Sequence, residues 1–167
     1  QIHEYLSGES FSSRSLNITD IPDPDQAMNL IHERKADLLI LDVYRGTAQR
    51  GGEQIGLRVL EKIKQSGFVA VVVYTALPEG LDGIQSSFIR LVGKEAGGLE
   101  RLKTEIDGLF RSRVPQVHRA IVNHIDQTLR SYMWDFVQEN WAAFSSLTEK
   151  PEFTRLLIQR LAMTLSR

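Results

Sequence analysis

The sequence contains no cysteine, only five prolines and no long apolar run, and each scarcity removes a class of protein. Without cysteine there can be no disulfide framework, no thiol nucleophile and no cysteine-based metal site. No stretch approaches the roughly 18 apolar residues that a membrane span needs, and none has the pattern of a signal peptide. A reducing cytoplasm is therefore the expected location.

An excess of charge of one sign is also missing, since the net charge is -1. Residues 1–110 carry 12 basic against 16 acidic side chains, and residues 111–167 carry 8 against 5. So small a positive excess, without a helix-turn-helix pattern, does not predict nucleic-acid binding. The chain is 42% hydrophobic and long enough for one domain of about 110 residues plus an extension.

Three short apolar runs are the main positive signal, and they lie at residues 36–44, 68–74 and 88–92. Runs of this length, bounded by polar residues, are typical of parallel strands that are covered on both faces. The first run ends on Asp42, the second on Thr75-Ala76 and the third on Gly93-Lys94.

Helical patterns alternate with these runs. The spacing of apolar residues predicts helices over 25–34, with Asp25 as N-cap, over 55–66, and from Gly98 onward. A helix over 1–6 and a short strand over 15–18 are also predicted. The alternation of strand and helix indicates an α/β fold with a doubly wound parallel sheet.

In such a sheet the carboxyl ends of the strands meet at one edge, where ligands bind. We therefore expect Asp42, Thr75 and Lys94 to share a crevice. A carboxylate can act as a nucleophile toward phosphorus, a hydroxyl can donate to a phosphoryl oxygen, and a lysine can offset developing charge. No glycine-rich phosphate fingerprint follows any strand, which disfavours a small enzyme that binds a nucleotide or flavin.

With these motifs in place, residues from about Ser15 to Phe110 resemble the receiver domain of two-component response regulators, which has a flavodoxin-like fold. The resemblance is carried by Leu-Ile-Leu-Asp42, Gly56-Leu-Arg-Val-Leu-Glu-Lys-Ile, Tyr-Thr75-Ala76 and Val-Gly-Lys94. It implies a receiver-like domain over 1–110 and a helical extension over 111–167. The long loop after Asp42 and the absent prolines are similar to a divergent receiver group found beside bacterial antiviral and conflict genes.

The resemblance also implies a role for each residue of the crevice. Asp42 would accept a phosphoryl group from a histidine kinase or phosphotransfer protein, and Thr75 and Lys94 would contact that group. Ala76 would offer it a backbone N–H. Asp42 and the backbone carbonyl of Tyr44 would bind Mg²⁺. The protein would then be a regulatory phosphoacceptor in a phosphorelay rather than an enzyme with a separate substrate.

The sequence departs from the receiver pattern at several positions. Glu95 follows the lysine where the family has proline, and Leu91 stands where an aromatic switch residue is expected. The family's first strand, which carries the acidic Mg²⁺-binding pair, has no counterpart here. We expect that strand to precede Gln1, with residues 1–6 ending the first helix. If it is absent, the alternative is a phosphorylation-independent pseudo-receiver that acts as a protein-interaction module.

The extension is predicted to form one long helix over 114–144 and a last helix that begins at 149–152. An apolar stripe recurs at three- and four-residue steps along the long helix. Two interpretations stay open: a helical hairpin that completes its own core, or a homodimerisation element or linker to an effector. His118 and His124 are six residues apart, a spacing that does not suit a shared metal.

Overall fold

The computed structural model describes residues 2–7, 11, 17–44, 54–144, 155 and 158–163. The chain divides into two compact units, Gln1–Pro115 and Gln116–Arg167. Among the described residues, no helix combines the length and the apolar character that crossing a membrane requires.

The first unit is built on a parallel sheet of three strands: β1 (Leu38–Leu41), β2 (Ala70–Thr75) and β3 (Ile89–Gly93). Their order in the sheet is β1-β2-β3, so β2 lies between the other two. Leu41 is paired with Val73, and Thr75 with Gly93. The prediction of a parallel α/β sheet is confirmed for these three strands, and all three end at the same edge.

The strands differ in how deeply they are buried. All six residues of β2 are buried, as a run of Ala, Val, Tyr and Thr between two neighbours should be. The four residues of β1 are each only partly buried, although the sequence predicts cover on both faces. β3 also lies at the outside of the three described strands, and three of its five residues are buried, so position in the sheet alone does not explain the exposure of β1.

Four helices accompany the sheet: α1 (Ile2–Ser7), α2 (Pro24–His32), α3 (Ile55–Ser66) and α4 (Gly98–Arg111). The prediction of Asp25 as N-cap of α2 is wrong. The cap is Asp23, whose carboxylate accepts a hydrogen bond of 3.0 Å from the backbone N–H of Asp25. Proline needs no N–H partner in a first turn, so Pro24 can be the first helical residue, and the N-cap lies two residues before the predicted one.

Helices cover both faces of the sheet, because alternate strand residues point to opposite sides. On one face, side chains of α2 and α3 pack on Val71 and Val73 through Met28, Ile31, Val59, Leu60 and Ile63. On the other face, α1 and α4 pack on Ala70, Val72 and Tyr74 through Leu6, Leu102, Ile106 and Leu109. The described helices therefore cover both faces of the three-stranded parallel sheet.

The remaining predicted elements of this unit have mixed outcomes. Residues 15 and 16 of the predicted strand over 15–18 lie outside the described residues, and Asn17 and Ile18 are irregular. The loop between β2 and β3 contains a single 3₁₀ turn, Asp82–Ile84. Most of the loop after Asp42, residues 45–53, also lies outside the described part of the chain.

The helical extension is not the single α-helix predicted over 114–144. It consists of α5 (Val114–Ser131), a π-helical segment (Tyr132–Val137) and α6 (Trp141–Phe144). The backbone N–H of Gln138 donates to the carbonyl of Met133 at 2.9 Å, an i→i+5 bond. Residues 158–163 are helical, whereas the predicted start of that helix at 149–152 lies outside the described residues.

The π-helical segment has a packing explanation. Tyr132 and Val137 are buried, and in a regular α-helix two residues five apart point roughly 140° away from each other. The wider i→i+5 winding brings both to one side. Tyr132 also stacks on Phe136, with ring centroids 5.2 Å apart.

The different burial of two isoleucines predicts different effects of Ile→Ala substitutions on the free energy of unfolding. Ile106→Ala, at a fully buried position of α4, should lower the free energy of unfolding by about 2–5 kcal/mol, because it leaves a cavity. Ile158→Ala, at a position that is 61% exposed, should change it by about 0.5 kcal/mol or less. Urea unfolding of both variants measures the difference, and equal losses would contradict the assignment of the core.

Candidate functional site

The carboxyl ends of the three strands bring together the charged and polar residues that the sequence singles out. Asp42 directly follows β1, Thr75 ends β2 and Lys94 directly follows β3. The ammonium of Lys94 donates a hydrogen bond to Oδ2 of Asp42. The backbone N–H of Lys94 donates to the carbonyl of Thr75 at 2.8 Å. We call Asp42, Thr75 and Lys94 the crevice residues.

The carboxylate of Asp42 is accessible as well as paired. Its side chain is 45% exposed and that of Lys94 is 32% exposed, so solvent screens their attraction. An ion pair in this setting contributes about 0–1 kcal/mol to stability. The second oxygen, Oδ1, accepts a long hydrogen bond of 3.4 Å from the backbone N–H of Tyr44. The two contacts therefore orient an accessible carboxylate and contribute little to the folding free energy.

Gly56, in the first turn of α3, fixes the backbone at Asp42. Its N–H donates to the carbonyl of Val43 at 3.1 Å. A Cβ at position 56 would lie 2.2 Å from the carbonyl oxygen of Asp42 and 2.7 Å from Cα of Val43. Only glycine permits so close an approach of a helix to a strand end. Gly56 belongs to the helix motif that resembles the receiver pattern, but no sequence signal indicates its close approach to the Asp42 backbone.

A second close approach fixes the backbone before Lys94. A Cβ at Gly98, the first residue of α4, would lie 2.5 Å from the carbonyl oxygen of Gly93. The same corner is spanned by an ion pair of 2.6 Å between Glu95 and Arg101. Glu95 therefore takes part in a local contact at the position where the receiver pattern has proline.

Thr75, the third crevice residue, and the other predicted site residues have different environments. Thr75 is fully buried, and its hydroxyl accepts a 3.4 Å hydrogen bond from the backbone N–H of Leu77. Ala76, the next residue, is exposed. The hydroxyl of Tyr44 accepts a 3.4 Å hydrogen bond from the amide of Gln54. Leu91 packs against the core on the side of Val71 and Val73.

Tyr74 is a site residue whose contact with Lys94 the sequence does not reveal. The ammonium of Lys94 lies over its ring, 5.5 Å from the ring centroid. The ring itself is buried, with 7% of the residue exposed. Burial raises the pKa of the Tyr74 hydroxyl above its usual value; the charge of Glu100 adds to the rise and that of Arg101 opposes it.

The described residues meet only part of the requirement for the Mg²⁺ ion that the resemblance implies. Asp42 supplies one carboxylate, and the carbonyl of Tyr44 is a second candidate ligand. Mg²⁺ in phosphoryl-transfer sites is held by one or two carboxylates together with phosphate oxygens and water. Within the described part of the chain, no group of three or more His, Cys, Asp or Glu residues is arranged to hold a metal. We therefore derive the chemistry from the protein groups alone.

Comparison with known proteins gives no further assignment. No protein-family model, no curated protein and no solved structure matches this chain. The function must therefore be inferred from the geometry of the crevice.

The close approach at Gly56 predicts opposite outcomes for two helical glycines. Gly56→Ala should lower the free energy of unfolding by about 1–3 kcal/mol, because the methyl group has only backbone beside it. A Cβ at Gly108, in α4, meets no atom within 4 Å. Gly108→Ala should therefore raise the stability by about 1 kcal/mol through helix propensity. Thermal or urea unfolding measures both, and a tolerated Gly56→Ala would contradict the described packing.

Proposed function

We propose that the first unit is a phosphoacceptor receiver domain with a flavodoxin-like fold, working in the cytoplasm. The observation that carries the proposal is the contact between the exposed carboxylate of Asp42 and the ammonium of Lys94. Thr75 ends the strand between them, so a carboxylate, a hydroxyl and an ammonium stand at three consecutive strand ends. This is the combination that phosphoryl transfer to a carboxylate uses.

In the proposed reaction, a carboxylate oxygen of Asp42 attacks the phosphorus atom of a phosphohistidine on a kinase or phosphotransfer protein. The new O–P bond forms as the P–N bond breaks, and the imidazole leaves with the electron pair and takes up a proton. Lys94 offsets the negative charge of the transferring group. Attack by water later releases inorganic phosphate and restores the carboxylate.

Phosphorylation would change the contacts of the crevice residues. The new phosphoryl oxygens compete with Oδ2 of Asp42 for the ammonium of Lys94. The hydroxyl of Thr75 accepts from the Leu77 N–H and keeps its own O–H for donation. Because Thr75 is fully buried, a contact between this hydroxyl and the phosphoryl group requires a local rearrangement that uncovers it. The added charge thus favours a rearranged state of the loop after Thr75, which a partner protein can recognise.

The helical extension is the proposed output. Along α5 and the π-helical segment, five apolar side chains recur at steps of four and are 41–54% exposed: Val117, Ile121, Ile125, Leu129 and Met133. We call these five residues the α5 stripe. A contiguous exposed apolar stripe on a helix is typical of a surface that another protein surface covers. We propose that the α5 stripe is covered in a homodimer.

The phosphoacceptor role predicts a mass increase that depends on one residue. After incubation with Mg²⁺ and a small acyl phosphate, the intact mass of the protein should rise by one phosphoryl group. Asp42→Asn should lose the increase, because an amide is not a nucleophile toward phosphorus. Asp82→Asn, which removes an exposed acid of the 3₁₀ turn, should retain it.

Two results would contradict this role. An adduct that persists in Asp42→Asn would place the acceptor elsewhere. No adduct on the wild-type chain would favour the pseudo-receiver, which signals through protein contacts without phosphorylation.

The proposed dimer predicts a mutation-dependent change in molecular mass in solution. Ile121→Asp, within the α5 stripe, should shift the protein from dimer to monomer, since it places a charge in an apolar interface. Asn123→Asp, an exposed position outside the stripe, should leave the dimer intact. Analytical ultracentrifugation measures both. A monomeric wild-type protein, or a dimer that is unaffected by Ile121→Asp, would contradict the proposal.

A further inference from the structure

We propose that Tyr74 is a positioning residue for Lys94: its buried ring holds the lysine ammonium in place beside Asp42. Lys94 is a mobile side chain by nature, with a four-carbon stem and a strongly hydrated head group. In this protein the ammonium has two partners at once, the carboxylate of Asp42 and the face of the Tyr74 ring. The distance of 5.5 Å from Nζ to the ring centroid is within the range of a cation–π interaction.

The ring is suited to this task because it is itself immobilised. Tyr74 belongs to the core formed with Val72, Leu102 and Ile106 on the α4 face of the sheet. Its hydroxyl faces the start of α4, where a Cβ at Gly98 would lie 3.3 Å away. The raised pKa of that hydroxyl, caused chiefly by burial, fits a ring that is enclosed and neutral.

Thr75 and Tyr74 lie on opposite faces of the sheet and contact different parts of Lys94. The backbone of β2 directs Thr75 to the other face of the sheet from Tyr74. Lys94 is thus bonded to Thr75 only through its backbone N–H, while its side chain extends over the ring to Asp42. Without the ring, the ammonium would keep only the carboxylate of Asp42 as a partner, and that side chain is 45% exposed. Water would then compete with the carboxylate for the ammonium, and the position of Lys94 would be less well defined.

The placement can be measured without any phosphorylation. In ¹H–¹³C spectra of the full chain, the ε-methylene of Lys94, assigned from the signal lost in Lys94→Arg, should be shifted upfield by the ring current. Tyr74→Phe keeps the ring and should keep the shift. Tyr74→Leu, which still fills the core, should lose it. An unshifted Lys94 in the wild type, or an unchanged shift in Tyr74→Leu, would overturn the inference.

The effect on phosphoryl transfer is a second readout, and it rests on the proposed function. Tyr74→Leu should slow phosphoryl uptake by Asp42 by about two- to fivefold, the range of an exposed cation–π contact, and Tyr74→Phe should restore the rate. Equal rates in the wild type and Tyr74→Leu would overturn a positioning role. If the wild type takes up no phosphoryl group, the proposed function fails, and the Lys94 shift alone decides the inference.

Discussion

The contact between Lys94 and Asp42 joins the ends of two strands that are not neighbours, and the proposed site is complete only when this contact forms. β2 lies between β1 and β3, so the contact forms only if all three strands run parallel and end at one level. The register of the two strand pairs brings the three strand ends to one level. The close approach at Gly56 fixes the backbone at Asp42, and the one at Gly98 fixes the backbone before Lys94. The geometry of two exposed side chains is in this way determined by buried backbone contacts.

The three strands, and the polar residues that follow them, can be predicted from short-range patterns in the sequence. Apolar runs that end on Asp42, Thr75 and Lys94 are sufficient to place three side chains at one sheet edge, since parallel strands leave no other choice. The helices α3 and α4 are equally local, because their apolar periodicity is regular. The N-cap of α2 is Asp23 and not the predicted Asp25; the local signal for it is Pro24, since proline is favoured at the first helical position.

Other features depend on which surfaces meet, and no local pattern specifies them. The Tyr74 ring reaches Lys94 because β2 and β3 are in a particular register. The lack of room for a side chain at position 56 depends on how closely α3 approaches the end of β1. The π-helical turn at Tyr132–Val137 arises from burying two side chains five apart, which a periodicity of three and four residues does not predict.

A phosphoacceptor needs an accessible nucleophile, a cation held near it, and a part of the structure that responds. In the proposed function, Asp42 and Lys94 would supply the first two, and the buried Thr75 with the following loop would be the responsive part. The proposed α5 dimer would then carry the output. Each role depends on the crevice being assembled before any phosphoryl donor arrives, since preorganised charge is what lowers the barrier.

The most direct test of this account is a zero-length cross-link. A carbodiimide joins a carboxylate and an amine that touch, with loss of one water, and peptide mass mapping identifies the linked pair. Asp42 should be found in an amide bond with Lys94, as should Asp25 with Lys62, whose side chains are 3.4 Å apart and serve as an internal reference. Recovery of the Asp25–Lys62 link with Asp42 and Lys94 in separate peptides would contradict the account.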